Sequence, residues 1–309
     1  MRLDTSASGV FPISATPFLD SGELDLASAE TLTDFYLERG ATGLTILGMM
    51  GEAPKLSPEE STAFLKVVLT CVAGRIPVVV GVSNPGLSAM AALAHEAMAA
   101  GAAGVMVAPL PSLKTEEQII NYYVMVCQAL GPDVPVVLQD FPLVLGVSFS
   151  VPTLETIFAR LPQIVMLKHE DWPGLSKLSR IRRGESERGD RRISILVGNG
   201  GLFLPQELAR GADGAMTGYA YPEMLADVVQ RFRAGDVEGA EDAFDVHLPL
   251  IRHETQPGLG LAVRKEILRR RGAIASAHVR SPGPKLDALD LAELTGLMNR
   301  LERRMARPA

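Results

Sequence analysis

Eight short runs rich in valine and isoleucine recur along the chain, separated by longer stretches of helical spacing. The runs are VFPISATPF (10–18), GLTILG (43–48), PVVVGVS (77–83), GVMVAPL (104–110), PVVLQDF (135–141), IVMLKHE (164–170), ISILVG (193–198) and GAMTG (214–218). Short apolar runs bounded by Gly or Pro read as buried strands. SPEESTAFLKVVLTCVAG (57–74) reads as a helix opened by a serine cap with a glutamate three places on. LSAMAALAHEAMAAG (87–101) and TEEQIINYYVMVCQALG (115–131) read likewise, the latter ending on glycine. Strand–helix alternation predicts parallel β/α units, and eight of them predict an α/β fold of the (β/α)8 TIM-barrel class. An open doubly wound sheet is the alternative. No G-x-G-x-x-G follows the first run, so its dinucleotide-binding version loses its main support.

After residue 220 the strand signal stops, and 221–234, 236–253, 258–271 and 286–306 read as helices. The expected organisation is a barrel over 1–222 and a C-terminal helical region over 223–309, packed on the barrel or on a neighbouring subunit. SAHVRSPGPK (276–285) is a Pro/Gly loop. The 309 residues carry a net charge of −6 with both signs mixed, and no basic stripe argues for nucleic acid. The run RKEILRRRG (264–272) reads as a solvated helix face. No window reaches the ~18 apolar residues of a membrane span, and the N-terminus has no signal-peptide pattern. Cys71 and Cys127 lie far apart in helix-like segments and read as core fillers rather than a disulfide. A soluble cytoplasmic protein is expected.

In a barrel of this kind functional groups sit at the C-terminal ends of the strands. The sixth run ends on Lys168, and Glu170, two places on in extended chain, shares its face while His169 points elsewhere. The bland reading of Lys168 is a rim salt bridge, with Glu170 as its partner. The chemical reading is an imine-forming amine with a carboxyl group beside it.

Further motifs favour the chemical reading. GMMGEAPKLSPEE (48–60), ATPF (15–18), the lysine ending the sixth run and GADGAMTG (211–218) stand in order on the matching elements. Together they resemble the dihydrodipicolinate synthase / N-acetylneuraminate lyase family of (β/α)8 class I aldolases and dehydratases, closely over residues 10 to about 225 and loosely beyond. The resemblance implies Lys168 as the Schiff-base lysine, a small-molecule 2-oxo acid as partner, no cofactor, and a homotetramer built as a dimer of dimers. The five histidines show no H-x-H or H-E-x-x-H pattern, so a metal site is not expected.

The chain departs from the aldolases of that family where their hydroxyl relay lies. The loop after the second run reads Met49-Met50, the fifth run ends Gln139-Asp140-Phe141-Pro142 where Tyr-Asn-x-Pro is usual, and Pro109-Leu110-Pro111 replaces a second tyrosine. An amide such as Gln139 hydrogen-bonds but cannot carry a proton at neutral pH. Gln-Asp-x-Pro with Lys-x-Glu, and Gly-Ala-Met-Thr-Gly followed by Tyr-Pro (214–222), resemble the L-2-keto-3-deoxyarabonate dehydratase branch. That match implies dehydration of a 2-keto-3-deoxy sugar acid to 2-oxoglutarate semialdehyde. A pyruvate-dependent aldolase or retro-aldolase and a catalytically silent keto-acid-binding protein are the alternatives.

The chemistry assigns expectations to residues. Lys168 attacks the C2 ketone as a neutral amine, which calls for low-dielectric walls from Ile164–Leu167, Met49, Met50 and Phe141. Glu170 moves protons at C3 and the C4 hydroxyl, with Asp140 as the other candidate carboxylate. Substrate binding falls to Gln139, Asp140, Met216, Thr217 and the backbone of Met49, Met50 and Gly51, the last three as an anion site. Gln139 and Asp140 read equally as loop-stabilising groups, and the Met49 and Met50 side chains as filler. Gly198 and Asn199, in Gly198-Asn199-Gly200-Gly201, form either a phosphate site or a tight turn leaving room for a polyol chain. Glu52 reads as a helix-start carboxylate. Trp172 and Pro173 are placed in the wall beside the sixth run.

Overall fold

The computed structural model describes residues 1–172 and 174–306. Its strands are β1 Gly9–Val10, β2 Leu44–Ile46, β3 Val78–Gly81, β4 Gly104–Val107, β5 Val136–Asp140, β6 Ile164–His169, β7 Ser194–Val197 and β8 Gly214–Ala215. Every neighbouring pair is parallel, in the order β1-β8-β7-β6-β5-β4-β3-β2. A parallel bridge between Ile13 and Thr45 joins the two ends and closes the barrel. The first run pairs over fewer residues than its apolar length suggests, because Pro12 has no N–H to give. Pairing resumes around it: Phe11 and Ile13 N–H donate to Ala215 and Thr217 carbonyls at 2.8 Å each.

The helices are α1 Leu26–Glu38, α2 Pro58–Val72, α3 Leu87–Ala99, α4 Glu116–Leu130, α5 Pro142–Leu145, α6 Val151–Arg160, α7 Leu175–Glu187, α8 Leu204–Ala209, α9 Pro222–Arg233, α10 Val237–Glu254, α11 Gly260–Arg270 and α12 Ala288–Met305. Capping boxes start α2 (Ser57 with Glu60), α4 (Thr115 with Gln118) and α12 (Asp287 with Asp290). Each satisfies N–H groups that a helix start otherwise leaves open. No helix among the described residues is long and apolar enough to cross a membrane.

Strand alternation divides the core in two. One set of side chains packs between the strands and the helices, while Phe11, Ile13, Val79, Met106, Val137, Met166, Leu196 and Met216 fill the barrel with Leu3 and Ala103. Residues 3–8 close the N-terminal end: Leu3 N–H donates to Ala103 O at 2.9 Å, and Ser194 Oγ donates to Ala7 O at 2.7 Å. The apolar plug leaves only the C-terminal end of the strands for polar chemistry.

The last helices follow a different rule from the one their charges suggest. Helix α9 packs on β1, and α10 packs on α8, α9, α11 and α12. The start of the 264–272 run is not solvated: Arg264, Lys265 and Glu266 are all buried. Arg264 pairs with Glu254, and Lys265 Nζ stands 2.5 Å from Glu52 Oε1. The charges are inside because carboxylates from α10 and from the turn after β2 meet them, partners that a helix-face reading of one segment does not see.

Candidate active site

Strand β6 carries Met166 and Lys168 on its inward face, and the next residue of that face is Glu170. Glu170 lies past the strand yet stays on its rails. Its N–H donates to Asp140 O of β5, and Gly198 N–H after β7 donates to His169 O, both at 2.9 Å. Lys168 Nζ is 3.0 Å from Glu170 Oε2, and both side chains are buried. Gln139, beside Lys168 in the β5–β6 register, donates its Nε2 to the same Oε2 at 2.8 Å. Lysine, carboxylate and amide thus converge on one oxygen at the barrel mouth.

Gly198 and Asn199 hold this group in place. A Cβ on Gly198 would stand 2.3 Å from Glu170 Cγ, so only glycine leaves the carboxylate its space. Asn199, in the left-handed region at φ +52°, donates Nδ2 to Glu170 O at 3.1 Å. The turn after β7 thus supports Glu170.

The turn after β2 is bracketed by two non-glycine residues in the left-handed region, Leu47 and Glu52, each at φ +54°. Such conformations persist only where the surroundings over-determine them. Thr16 Oγ1 donates to Gly51 O at 2.5 Å, and a Cβ on Gly81 would meet Leu47 O at 2.2 Å. The Gly51 N–H is spent on Gly48 O at 3.0 Å, which removes it from the expected anion site. The Met49 and Met50 N–H groups have no protein acceptor among the described residues, and Met50 packs partly against the barrel interior. Glu52 does not serve a helix start. It is buried, binding Lys265, Lys55 Nζ at 2.9 Å and Arg280 N–H at 3.0 Å.

Two expected substrate contacts, Asp140 and Thr217, lie elsewhere. Asp140 alternates with Gln139 and so faces the helices, where Lys177 Nζ of α7 reaches its Oδ2 at 2.7 Å. It is not a second carboxylate beside Lys168. Met216 is fully buried on the inward face of the barrel, in one cluster with Met166 and Leu196. The Thr217 methyl faces the outer layer, on the same side as Leu225 and Leu204 around Gly201. Trp172 is half exposed and meets Phe203 edge-on at 5.0 Å, spanning the loops after β6 and β7. Pro173 lies outside the described residues.

Behind β6 stands a charged layer that sequence reading missed. Lys177 bridges Asp140 and, at 2.8 Å, Asp171. His169 Nε2 contacts Gly174 O at 3.0 Å, while Nδ1 faces Asp140 Oδ2 at 3.6 Å, too far for a hydrogen bond. Burial lowers the His169 pKa, but Asp140 outweighs it, and the net shift is upward. Glu207 of α8 is buried with an unpartnered Oε2; burial pushes its pKa up to about 7, opposed by His169 and reinforced by the charge of Glu170. The available signal was weak, since Lys177 and Glu207 lie on helices with nothing local to announce their strand-borne neighbours.

None of the five tyrosines serves Lys168. Tyr122 and Tyr123 donate to the Ala108 and Val107 carbonyls behind β4. Tyr36 is buried against Ser14 and Ala15, Tyr219 bonds His247 Nδ1 at 2.9 Å, and Tyr221 lies under Arg271. Among the described residues, the proton-bearing side chain in contact with Lys168 is Glu170.

Comparison with known proteins agrees with this geometry. The sequence pattern of the dihydrodipicolinate synthetase family matches residues 6–300. An L-2-keto-3-deoxyarabonate dehydratase of Azospirillum brasilense is 34% identical over 299 residues, covering 95% of this chain and 94% of that protein. A 4-hydroxy-tetrahydrodipicolinate synthase of Sorangium cellulosum is 32% identical, covering 96% and 97%. The crystal structure of a dihydrodipicolinate synthase from Rhodopseudomonas palustris superposes with a TM-score of 0.95 at 49% identity, covering 97% of this chain and 99% of that one. A prophage protein of Escherichia coli K12, of the dihydrodipicolinic acid synthase family and solved with pyruvate, superposes at 0.86 with 26% identity, covering 96% and 98%. With eight parallel strands closed into a barrel and a match along nearly its whole length, the chain belongs to the dihydrodipicolinate synthetase family, (β/α)8 aldolases and lyases that work through a Schiff base.

Proposed function

We propose that this protein dehydrates a 2-keto-3-deoxy sugar acid of the L-2-keto-3-deoxyarabonate kind to 2-oxoglutarate semialdehyde. The observation that carries the reading is the Lys168–Glu170 contact at 3.0 Å with Gln139, not a tyrosine, completing the cluster. The printed activity of the 34% identical Azospirillum protein supports it. The substrate carboxylate meets the open Met49 and Met50 N–H groups, which brings C2 to Lys168. Transfer of the ammonium proton to Glu170 frees the amine, which condenses with the C2 ketone and releases water. The iminium acidifies C3; a C3 proton leaves to give the enamine, and its electrons expel the C4 hydroxyl, protonated by Glu170, as a second water. The conjugated iminium loses a C5 proton and regains one at C3. Hydrolysis then consumes one water, frees Lys168 and leaves the enol of the aldehyde, so the net change is loss of one water.

Retro-aldol cleavage instead needs a base on the C4 hydroxyl. The hydroxyl relay that would supply it is replaced by Gln139, Met49 and Met50. The test is a product assay with 2-keto-3-deoxy-pentonate and the six-carbon homologue. Semialdehyde without pyruvate is expected. Pyruvate plus a short aldehyde would transfer the protein to the aldolases, and saturable binding without either product would make it a binder. Borohydride with a 2-oxo acid is expected to add ligand mass at Lys168.

A further inference from the structure

The inner and outer faces of β5 and β6 are joined at the same height by different chemistry. Inside, Gln139 of β5 donates to Glu170 beyond β6 at 2.8 Å. Outside, the very next residues, Asp140 and Asp171, share the Nζ of Lys177 at 2.7 and 2.8 Å. Lys177 is buried, its stem rising from the first turn of α7. Gly174, which begins that turn, has no room for a side chain: a Cβ would lie 2.6 Å from His169 Nε2 and 2.7 Å from Asp171 O. The loop from Glu170 to α7 is therefore pinned at Asp171 by Lys177 and at Gly174 by His169.

We infer that Lys177 is a positioning residue for the proton-carrying carboxylate, a clamp on the outside of the barrel that fixes Glu170 and Gln139 relative to Lys168. One ammonium bridges the buried carboxylate of Asp140 and the partly buried carboxylate of Asp171, which stand at or just past the ends of two adjacent strands, so the β5–β6 spacing at this level depends on it. An uncharged side chain there leaves Asp140 and Asp171 facing each other without a cation. Like charges so placed repel, and the repulsion parts the strand ends that carry Gln139 and Glu170. Misplacing a reacting group by about 1 Å costs roughly a hundredfold in rate. The groups around Glu170 are Lys168, Gln139 and Glu207; those around Lys177 are Asp140, Asp171 and His169.

The inference rests on the dehydratase reading for its kinetic arm and on the Lys168–Glu170 contact alone for its trapping arm. Lys177→Met, Lys177→Arg and Asp171→Asn are compared with the wild type in the full-length protein. Asp171→Asn keeps the Asp140–Lys177 pair and serves if Lys177→Met does not fold. For Lys177→Met, kcat is expected to fall roughly ten- to hundredfold with KM changed less than threefold. Lys177→Arg is expected to recover most of the loss, and Asp171→Asn to lose about three- to tenfold. Borohydride trapping of pyruvate at Lys168, followed across pH, is expected to show Lys177→Met displaced in the same direction as Glu170→Gln. A Lys177→Met protein with wild-type kcat and wild-type trapping profile overturns the inference. So does an Asp171→Asn protein with both readouts unchanged when Lys177→Met is insoluble. If the wild type traps pyruvate but forms no semialdehyde, the dehydratase reading fails and the trapping profile alone decides the clamp.

Discussion

Two buried lysines flank the barrel's open end and are held in opposite ways. Lys265, behind the turn after β2, is fully enclosed: Glu52 Oε1 at 2.5 Å, the His278 carbonyl at 2.8 Å, and the Phe18 ring centroid 4.5 Å from Nζ. An ammonium has three N–H bonds, and two acceptors with an aromatic face occupy its directions. Lys168 has a single carboxylate oxygen at 3.0 Å, already shared with Gln139. The polar site around Lys265 is finished and holds the fold. Lys168 Nζ has no second polar partner among the described residues, so its pairing is unfinished where that of Lys265 is complete.

The comparison breaks or holds on substitution of the two lysines by methionine. Lys168→Met is expected to lower kcat/KM by on the order of 10⁴–10⁶, as removal of a covalent nucleophile does elsewhere, and to abolish borohydride trapping, while the far-ultraviolet circular dichroism stays native. Equal losses of activity per folded molecule in Lys168→Met and Lys265→Met would end the distinction drawn here. The next effect in size is Glu170→Gln. Gln139 can still hydrogen-bond the new amide, but the proton carrier is gone, so kcat is expected to drop about 10²–10⁴-fold. Mass spectrometry after borohydride should still find ligand on Lys168; an unchanged kcat would remove Glu170 from the chemistry.

Lys265→Met sharpens the other side. It leaves Glu52 Oε1 without its cation while Lys55 and the Arg280 N–H still hold Oε2, so the loss is expected to reach at most the about 3–5 kcal/mol of a fully broken buried pair. Urea unfolding is expected to show that loss, with kcat per folded molecule reduced far less than in Lys168→Met. Because Glu52 sits at φ +54° at the end of the Met49–Gly51 turn, KM is expected to move before kcat does. A stability within about 0.5 kcal/mol of wild type, the range of ordinary surface substitutions, would show the network to be inert.

Much of this arrangement was legible before any coordinates, and the parts that were not share one cause. Period-two alternation placed Lys168 and Glu170 together and His169 apart, because side-chain direction in a strand is a local property. The same rule, applied across Gln139-Asp140, sends only Gln139 inward, so of the two readings open to the pair, substrate contact and loop support, substrate contact is left to Gln139 alone. Asp140 answers to Lys177, and nothing in the fifth run names a lysine on α7. Glu52 and the 264–272 run were misread for the same reason. Each looks like a surface charge within its own segment, and the burial of Glu52 and Lys265 follows from their meeting across 213 residues of sequence. Caps, strand order and helix positions are short-range and came through; ion-pair partners across elements are long-range and did not.

The smallest predicted effect concerns two of the buried carboxyl groups near His169, Glu170 and Glu207. Glu170 has a lysine at 3.0 Å, whereas Glu207 has an orphaned Oε2 and a pKa pushed up to about 7 by burial. In the unfolded chain Glu207 ionises near 4.5. Between those values the folded protein keeps a proton that the unfolded chain releases, so this residue's contribution to stability falls as pH rises from 4.5 to about 7 and is level above. Glutamine mimics the protonated acid and never ionises. Glu207→Gln is therefore expected to match wild type near pH 4.5 and to exceed it by up to about 3 kcal/mol above pH 7, read as the separation of urea midpoints along a pH series. His169, whose own pKa is raised, is present in both proteins, so the difference isolates Glu207 apart from their coupling. Parallel curves would mean that Glu207 ionises in the fold as freely as in the open chain, and the contrast between a paired and an unpaired buried carboxyl would fail at its simplest point. A separation that opens between pH 4.5 and 7 while kcat stays put would place Glu207 with Lys265, on the side that holds the fold.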